Sequence, residues 1–150
     1  FLGMERRFDI QVKSSEVVYI DDYAHHPEEI RATLNSVKKM FPGRKLTGIF
    51  QPHLYTRTHD FADEFCRSLE LLDDIILLPI YPAREKPIEG VTSEMLLDRI
   101  TKTDKVISTK DNIINLIAQK KPDLLITFGA GDIDQLVQPI RNYLLKTRTK

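Results

Sequence analysis

The sequence predicts an α/β domain with a mostly parallel sheet of about six strands and helices on both faces. Two observations carry this. Short apolar runs alternate with amphipathic helical stretches, and the strongest runs, "DIILLPIY" and "DLLITF", are apolar at nearly every position. Repeated strand-then-helix order builds parallel strands through crossover helices. A near-continuous apolar run is what a strand covered on both faces requires. A chain of 150 residues suits one compact unit, and 41% apolar residues are enough to fill its core.

The elements follow in order. Residues 8–14, "FDIQVKS", alternate loosely and suit an edge strand, and "VVYI" (17–20) is the first clear strand. After Pro27, the residues Ile30, Leu34, Val37 and Phe41 fall on one helical stripe, which Pro42 and Gly43 end. "LTGIF" (46–50) is a strand. "THDFADEFCRSLELL" then repeats the helical spacing through Phe61, Phe65, Leu69 and Leu72. A strand is expected at 74–81, a helix at 93–101, a weak strand at 105–109 and a helix at 112–120. The strand at 123–128 leads through "GAG" into a last helix, "DIDQLVQPIRNYLL". No internal repeat or second domain is visible.

Bulk properties narrow the function. With 22 basic and 22 acidic residues the net charge is zero, which argues against a polycationic nucleic-acid binder. No apolar run approaches the roughly 20 residues needed to span a bilayer. The single cysteine, Cys66, cannot form an internal disulfide and suits a reducing compartment such as the cytoplasm. The opening "FLGMERRF" begins with Phe and lacks the features of a secretory signal, so the chain is expected to be a piece of a larger protein.

Ligands of parallel α/β sheets gather at the carboxyl ends of the strands. Four polar clusters fall there. In "DDYAHHPEE" (21–29) a helix start explains Pro27, Glu28 and Glu29, but leaves Asp21, Asp22, Tyr23, His25 and His26 without a role. "FQPHLYTRT" (50–58) places His53 and Arg57 at the next junction, with Thr56 or Thr58 available as a helix cap. "YPAREKPIEG" (81–90) is a loop holding Arg84, Glu85 and Lys86. "GAGD" (129–132) permits a tight turn, and Asp132 with Gln135 resembles a capping box.

Three chemistries could use such a rim. His25, His26 and His53 with Asp21 or Asp22 are zinc-ligand types, but adjacent histidines on a turn seldom aim at one ion and no HExxH-type motif is present. Nucleophilic catalysis lacks a GxSxG serine, and Cys66 lies on the apolar side of its helix as a structural thiol. Anion handling by Arg57, Arg84 and the histidines is the most economical. "GAGDID" supplies only part of a GxGxxG fingerprint, and no GxxxxGK[ST] element occurs, so a nucleotide enzyme built from this chain needs another domain.

The ordered set "DDYAHHP", "FQPHLYTRT", "YPAREKPIEGVTS" and "FGAGDI" resembles the carboxyl-terminal domain of the ATP-dependent Mur ligases of bacterial peptidoglycan synthesis. The second motif resembles the L-alanine-adding branch in particular. The resemblance covers essentially the whole chain, with residues 1–7 matching the end of a linker from a central ATPase domain and 8–150 the domain itself. It implies a three-layer Rossmann-like fold whose mostly parallel sheet includes one antiparallel strand. The implied activity, in a three-domain protein, is ligation of L-alanine to the carboxylate of UDP-N-acetylmuramate through an acyl phosphate, releasing ADP and phosphate. ATP and Mg2+ would be bound mainly by the central domain, with no metal ligand here. Residue by residue, the resemblance assigns catalytic roles to His25, His53 and Arg57, and substrate contacts to Tyr23, His25, His53 and Arg57. It assigns nucleotide contacts to Asp22 and His25. Leu54 stands where the family often has arginine, so one basic contact is missing. Arg84 and Glu85 match a family loop without a defined role. A tripeptide-recycling Mur-type ligase and a non-enzymatic Rossmann-like binding domain are the alternatives.

Overall fold

The computed structural model describes residues 7–148, so all but Arg7 of the expected linker lies outside the described residues. The strands are β1 (Asp9–Lys13), β2 (Val18–Asp22), β3 (Leu46–Phe50), β4 (Asp74–Leu77), β5 (Lys105–Ile107) and β6 (Leu124–Phe128). The helices are α1 (Pro27–Met40), α2 (Tyr55–Asp60), α3 (Ala62–Leu69), α4 (Ser93–Arg99), α5 (Ile113–Lys120) and α6 (Val137–Thr147). Short 3-10 stretches cover Lys110–Asn112 and Asp132–Leu136.

The six strands form one sheet in the order β1-β2-β6-β3-β4-β5. Only β1 runs antiparallel, pairing with β2 through a register irregularity between Ile10 and Val12. The other four pairings are parallel. This is the fold class read from the sequence, including the single antiparallel strand. Strand alternation divides the core in two. Val18, Ile20, Leu46, Phe50, Ile75, Leu77, Ile126 and Phe128 face α1, α3 and α4. Tyr19, Ile49, Ile76 and Leu125 face α5 and α6. Crossovers on the first face carry the chain outward from β2 to β5. The return through α5 on the second face drops β6 between β2 and β3, as right-handed connections demand.

Three expected elements differ. The helix expected through 58–72 is broken at Phe61 (φ −119°, ψ 25°), which closes α2 by donating its N–H to Arg57 O and opens α3 by accepting from Phe65 N. The strand expected at 74–81 stops at Leu77, because Pro79 has no N–H for a ladder. The last helix begins as the 3-10 stretch, since the packed "GAGD" turn fixes its entry.

Gly48 lies on the crowded face of β3, and a Cβ there would sit 2.5 Å from Leu72 Cδ2. Gly48→Ala is therefore expected to destabilise the domain by about 1–3 kcal/mol through overpacking, as a lowered urea midpoint with an unchanged m-value. Gly43, with nothing within 4 Å but φ +81°, is the contrasting site where any loss comes from backbone strain alone.

Candidate functional site

Parallel register brings the carboxyl ends level. Asp22 pairs with Phe128, Phe128 with Phe50 and Phe50 with Leu77. The loops after β2, β3, β4 and β6 therefore leave from one line. Backbone bonds continue past the sheet: Gly129 N–H donates to Asp22 O, Leu78 N–H to Phe50 O, and His53 and Tyr81 form a further parallel bridge.

After β2, Asp22 is buried with its carboxylate engaged by backbone, Oδ2 accepting from Phe8 N (2.7 Å) and Oδ1 from Ala24 N (2.8 Å). That shapes the turn presenting Tyr23 and His25. His25 Nδ1 lies 3.0 Å from Tyr23 O, and a carbonyl can only accept, so Nδ1 carries the proton and a neutral His25 offers Nε2 as acceptor. His26 is the N-cap residue of α1, and Glu29 Oε1 accepts from His25 N (3.2 Å) and His26 N (3.1 Å). Partial burial opposes the Glu29 charge, but these two amides together with the His25 and His26 side chains outweigh it, and its carboxyl sits below the ordinary range. Asp21 points to the other face and accepts from Thr127 Oγ1 (2.8 Å), so it ties β2 to β6.

After β3, Arg57 Nη1 is 2.9 Å from His53 Nδ1. A guanidinium is always a donor, so His53 Nδ1 must accept and the ring proton sits on Nε2. Burial first, then the charges of Arg57 and His25, lower the His53 pKa below its usual 6.5, with Glu85 opposing. His26 is lowered by burial first and then by Arg57 and His25, again against a nearby carboxylate, Glu29. His53 stacks on Tyr81 (5.7 Å, 11°) and meets His25 edge-on (6.2 Å, 77°). Tyr23 packs edge-on against His25 at 5.1 Å. His25, His53, Arg57 and Tyr23 thus stand together, with Tyr81, the first residue of the "YPAREKPIEG" cluster, as a further member that the motif gave no role.

Neither Thr56 nor Thr58 caps α2. The N-cap residue is Leu54, at φ +76°, and buried Thr58 donates back to Leu54 O. The cap comes from Glu85, whose Oε1 accepts from Tyr55 N (2.6 Å) and Thr56 N (3.1 Å). Asp132 does not form a capping box with Gln135 either. Lys110 donates to both residues, and Gln51 Nε2 donates to Asp132 Oδ1 (2.7 Å) while its Oε1 accepts from Ile133 N. Gly131 allows this approach, since a Cβ there would lie 2.5 Å from Gln51 Oε1. Cys66 is buried with its thiol pushed up to about 11 by that burial, as a structural residue requires. Among the described residues no group of three or more His, Cys, Asp or Glu is placed to hold a metal ion. A concavity of about 690 Å³ lies at the opposite end of the strands beside Arg44, Lys45 and Lys102. Its Arg44 and Lys102 donate to the carbonyls of Asp123 and Leu72.

Residues 6–131 match the sequence profile of the Mur ligase, glutamate ligase domain. The chain belongs to the Mur ligase family. It is 52% identical over 146 residues to the UDP-N-acetylmuramate–L-alanine ligase of Parabacteroides distasonis, covering 97% of this chain and 32% of that protein. The structure of UDP-N-acetylmuramate-alanine ligase from Thermotoga maritima aligns with TM-score 0.71 at 27% identity, over 95% of this chain and 30% of that one. A murein peptide ligase from Psychrobacter arcticus gives the same TM-score, 0.71, at 23% identity over 93% and 30%. The shared fold does not separate those two activities. The chain spans about a third of the length of the curated relatives it matches.

The His53 pKa yields a directional test. A base whose folded pKa is depressed stabilises the fold above its unfolded value near 6.5, and that stability is lost as pH falls through the folded value. NMR titration is expected to place His53 below 6.5, and Arg57→Ala to move it part of the way back, because burial remains. A His53 titrating at or above 6.5 would contradict the Arg57 contact.

Proposed function

We propose that this domain, within a longer ligase, helps join L-alanine to the carboxylate of UDP-N-acetylmuramate at the expense of ATP. The observation that carries the reading is the Arg57–His53–His25 cluster on the rim of a Mur ligase domain, in a chain 52% identical to a protein named for that reaction. A free carboxylate is a poor electrophile, and phosphorylation by ATP turns one oxygen into a leaving group. The L-alanine amine attacks the acyl phosphate and the tetrahedral intermediate expels phosphate, giving UDP-N-acetylmuramoyl-L-alanine and ADP. Magnesium and most ATP contacts belong to the central domain in this reading, and the domain described here closes over ATP in the cytoplasm.

The side chains suit such a division of labour. Arg57 keeps donors beyond the one given to His53, enough to hold the alanine carboxylate or offset charge on the phosphoryl group. His53 offers an Nε2 proton to a developing oxyanion, while His25 offers an Nε2 lone pair to the incoming amine. Tyr23 walls the alanine side, and Asp22 sets the turn that presents His25 to the nucleotide. The relation to the P. distasonis protein favours L-alanine over a preformed tripeptide. Enclosure between domains would shield the acyl phosphate from water.

In the full-length enzyme, Arg57→Ala should raise the KM for L-alanine or lower kcat by about 10- to 100-fold, the loss of one charge-assisted contact, with the fold intact by circular dichroism. Unchanged steady-state kinetics for L-alanine and ATP would sink the assignment. The 150-residue chain alone should form no product from ATP, L-alanine and UDP-N-acetylmuramate, since it has no GxxxxGK[ST] phosphate loop. Product detected by mass spectrometry would refute this.

A further inference from the structure

We propose that Glu85 is the positioning residue of the site: its carboxylate clamps the start of α2 and so fixes where Arg57 stands. This rests on the reading of Arg57 as the group that holds L-alanine.

Helix α2 has only six residues and emerges from a backbone that resists its own conformation. Leu54 takes φ +76° and ψ 137°, a region that residues with a side chain rarely adopt. A helix this short cannot hold itself. Its first two amides, those of Tyr55 and Thr56, have no intrahelical acceptor, and no residue of its own segment caps them. Glu85 supplies what is missing from 30 residues away, accepting both amides on Oε1 and the Thr56 hydroxyl on Oε2. These bonds, first the Thr56 hydroxyl, hold its carboxyl below the ordinary range despite an exposed setting.

The loop carrying Glu85 is itself anchored. Leu54 N–H donates to Tyr81 O, Tyr81 N–H donates to Pro52 O, and Glu85 N–H donates to Pro82 O through a turn in which Ala83 has φ +52°. The Tyr81 ring lies flat on His53. The loops after β3 and β4 therefore grip each other at two levels, backbone at His53–Tyr81 and carboxylate at Tyr55–Thr56. Arg57 is one residue beyond the second grip and reaches back to His53 Nδ1. Releasing Glu85 leaves the first grip intact but frees the turn of helix that aims the guanidinium. Glu85 touches no reacting atom in this scheme; it acts through Arg57.

The test uses Glu85→Ala, Glu85→Gln and Arg57→Ala in the full-length ligase, with amide exchange on the 150-residue chain. Glu85→Ala should raise the L-alanine KM about 10-fold, in the range of a lost charge-assisted bond, with ATP KM and Tm unchanged. Glu85→Gln keeps an acceptor oxygen and should recover part of the loss. In the chain, the Tyr55 and Thr56 amides should exchange about 10-fold faster in Glu85→Ala, while those of Phe50 and Phe128 stay protected. Unchanged Tyr55 and Thr56 exchange overturns the clamp. Faster exchange with an unchanged alanine KM, in a background where Arg57→Ala does raise it, overturns the positioning role. So does a Glu85→Ala loss shared equally by ATP and L-alanine with a fallen Tm. If Arg57→Ala itself leaves the alanine KM unchanged, the alanine reading fails, and the exchange data alone decide the clamp.

Discussion

The parallel hydrogen-bond register that sets Asp22, Phe128, Phe50 and Leu77 side by side is the constraint on which the rest of this molecule depends. Because neighbouring strands end at the same level, their loops begin from one line and stay within side-chain reach. A shift of one residue in any pairing would turn each side chain to the other face and carry the loop away with it. The Phe50–Phe128 stack at 4.9 Å, backed by Phe65, resists such a slip directly beneath the rim.

The opposite face of the same strands carries a polar counterpart. Tyr19 Oη and Thr127 Oγ1 are 2.7 Å apart, and Thr127 donates to Asp21, all buried. Buried polar groups are tolerated only when paired, so this chain is satisfied in just one alignment of β2 and β6. Asp21 and Asp22, adjacent in sequence, thereby serve opposite faces: one locks the sheet, the other shapes the turn that holds His25.

At the rim, geometry and electrostatics reinforce each other. Arg57 serves as a donor to His53 and as a positive charge beside it, and both effects favour the neutral ring. Neutral imidazoles can supply one donor and one acceptor each, which acyl transfer uses more readily than two cations crowded beside an arginine. Glu85, at the start of α2, keeps a carboxylate near this positive cluster.

Much of this was legible in the amino-acid sequence. Apolar periodicity located α1 and the buried strands, and the polar clusters after β2, β3, β4 and β6 marked the rim because strand ends are where a parallel sheet leaves backbone free. The misreadings share one cause. Thr56, Thr58 and the Asp132–Gln135 pair looked like caps because capping is sought within a few residues, yet the actual partners are Glu85, Gln51 and Lys110, far away along the chain. The break at Phe61 and the stop at Leu77 were hidden in the same way, since apolar spacing continues through both. The sequence by itself determined the fold class, the family and the stretches that meet at the rim, because these follow from local periodicity and motif. Only the tertiary structure decided which nitrogen of His25 and of His53 carries a proton, what holds α2, and which aspartate faces which side. Those depend on hydrogen bonds between segments that become neighbours only when the sheet closes its register.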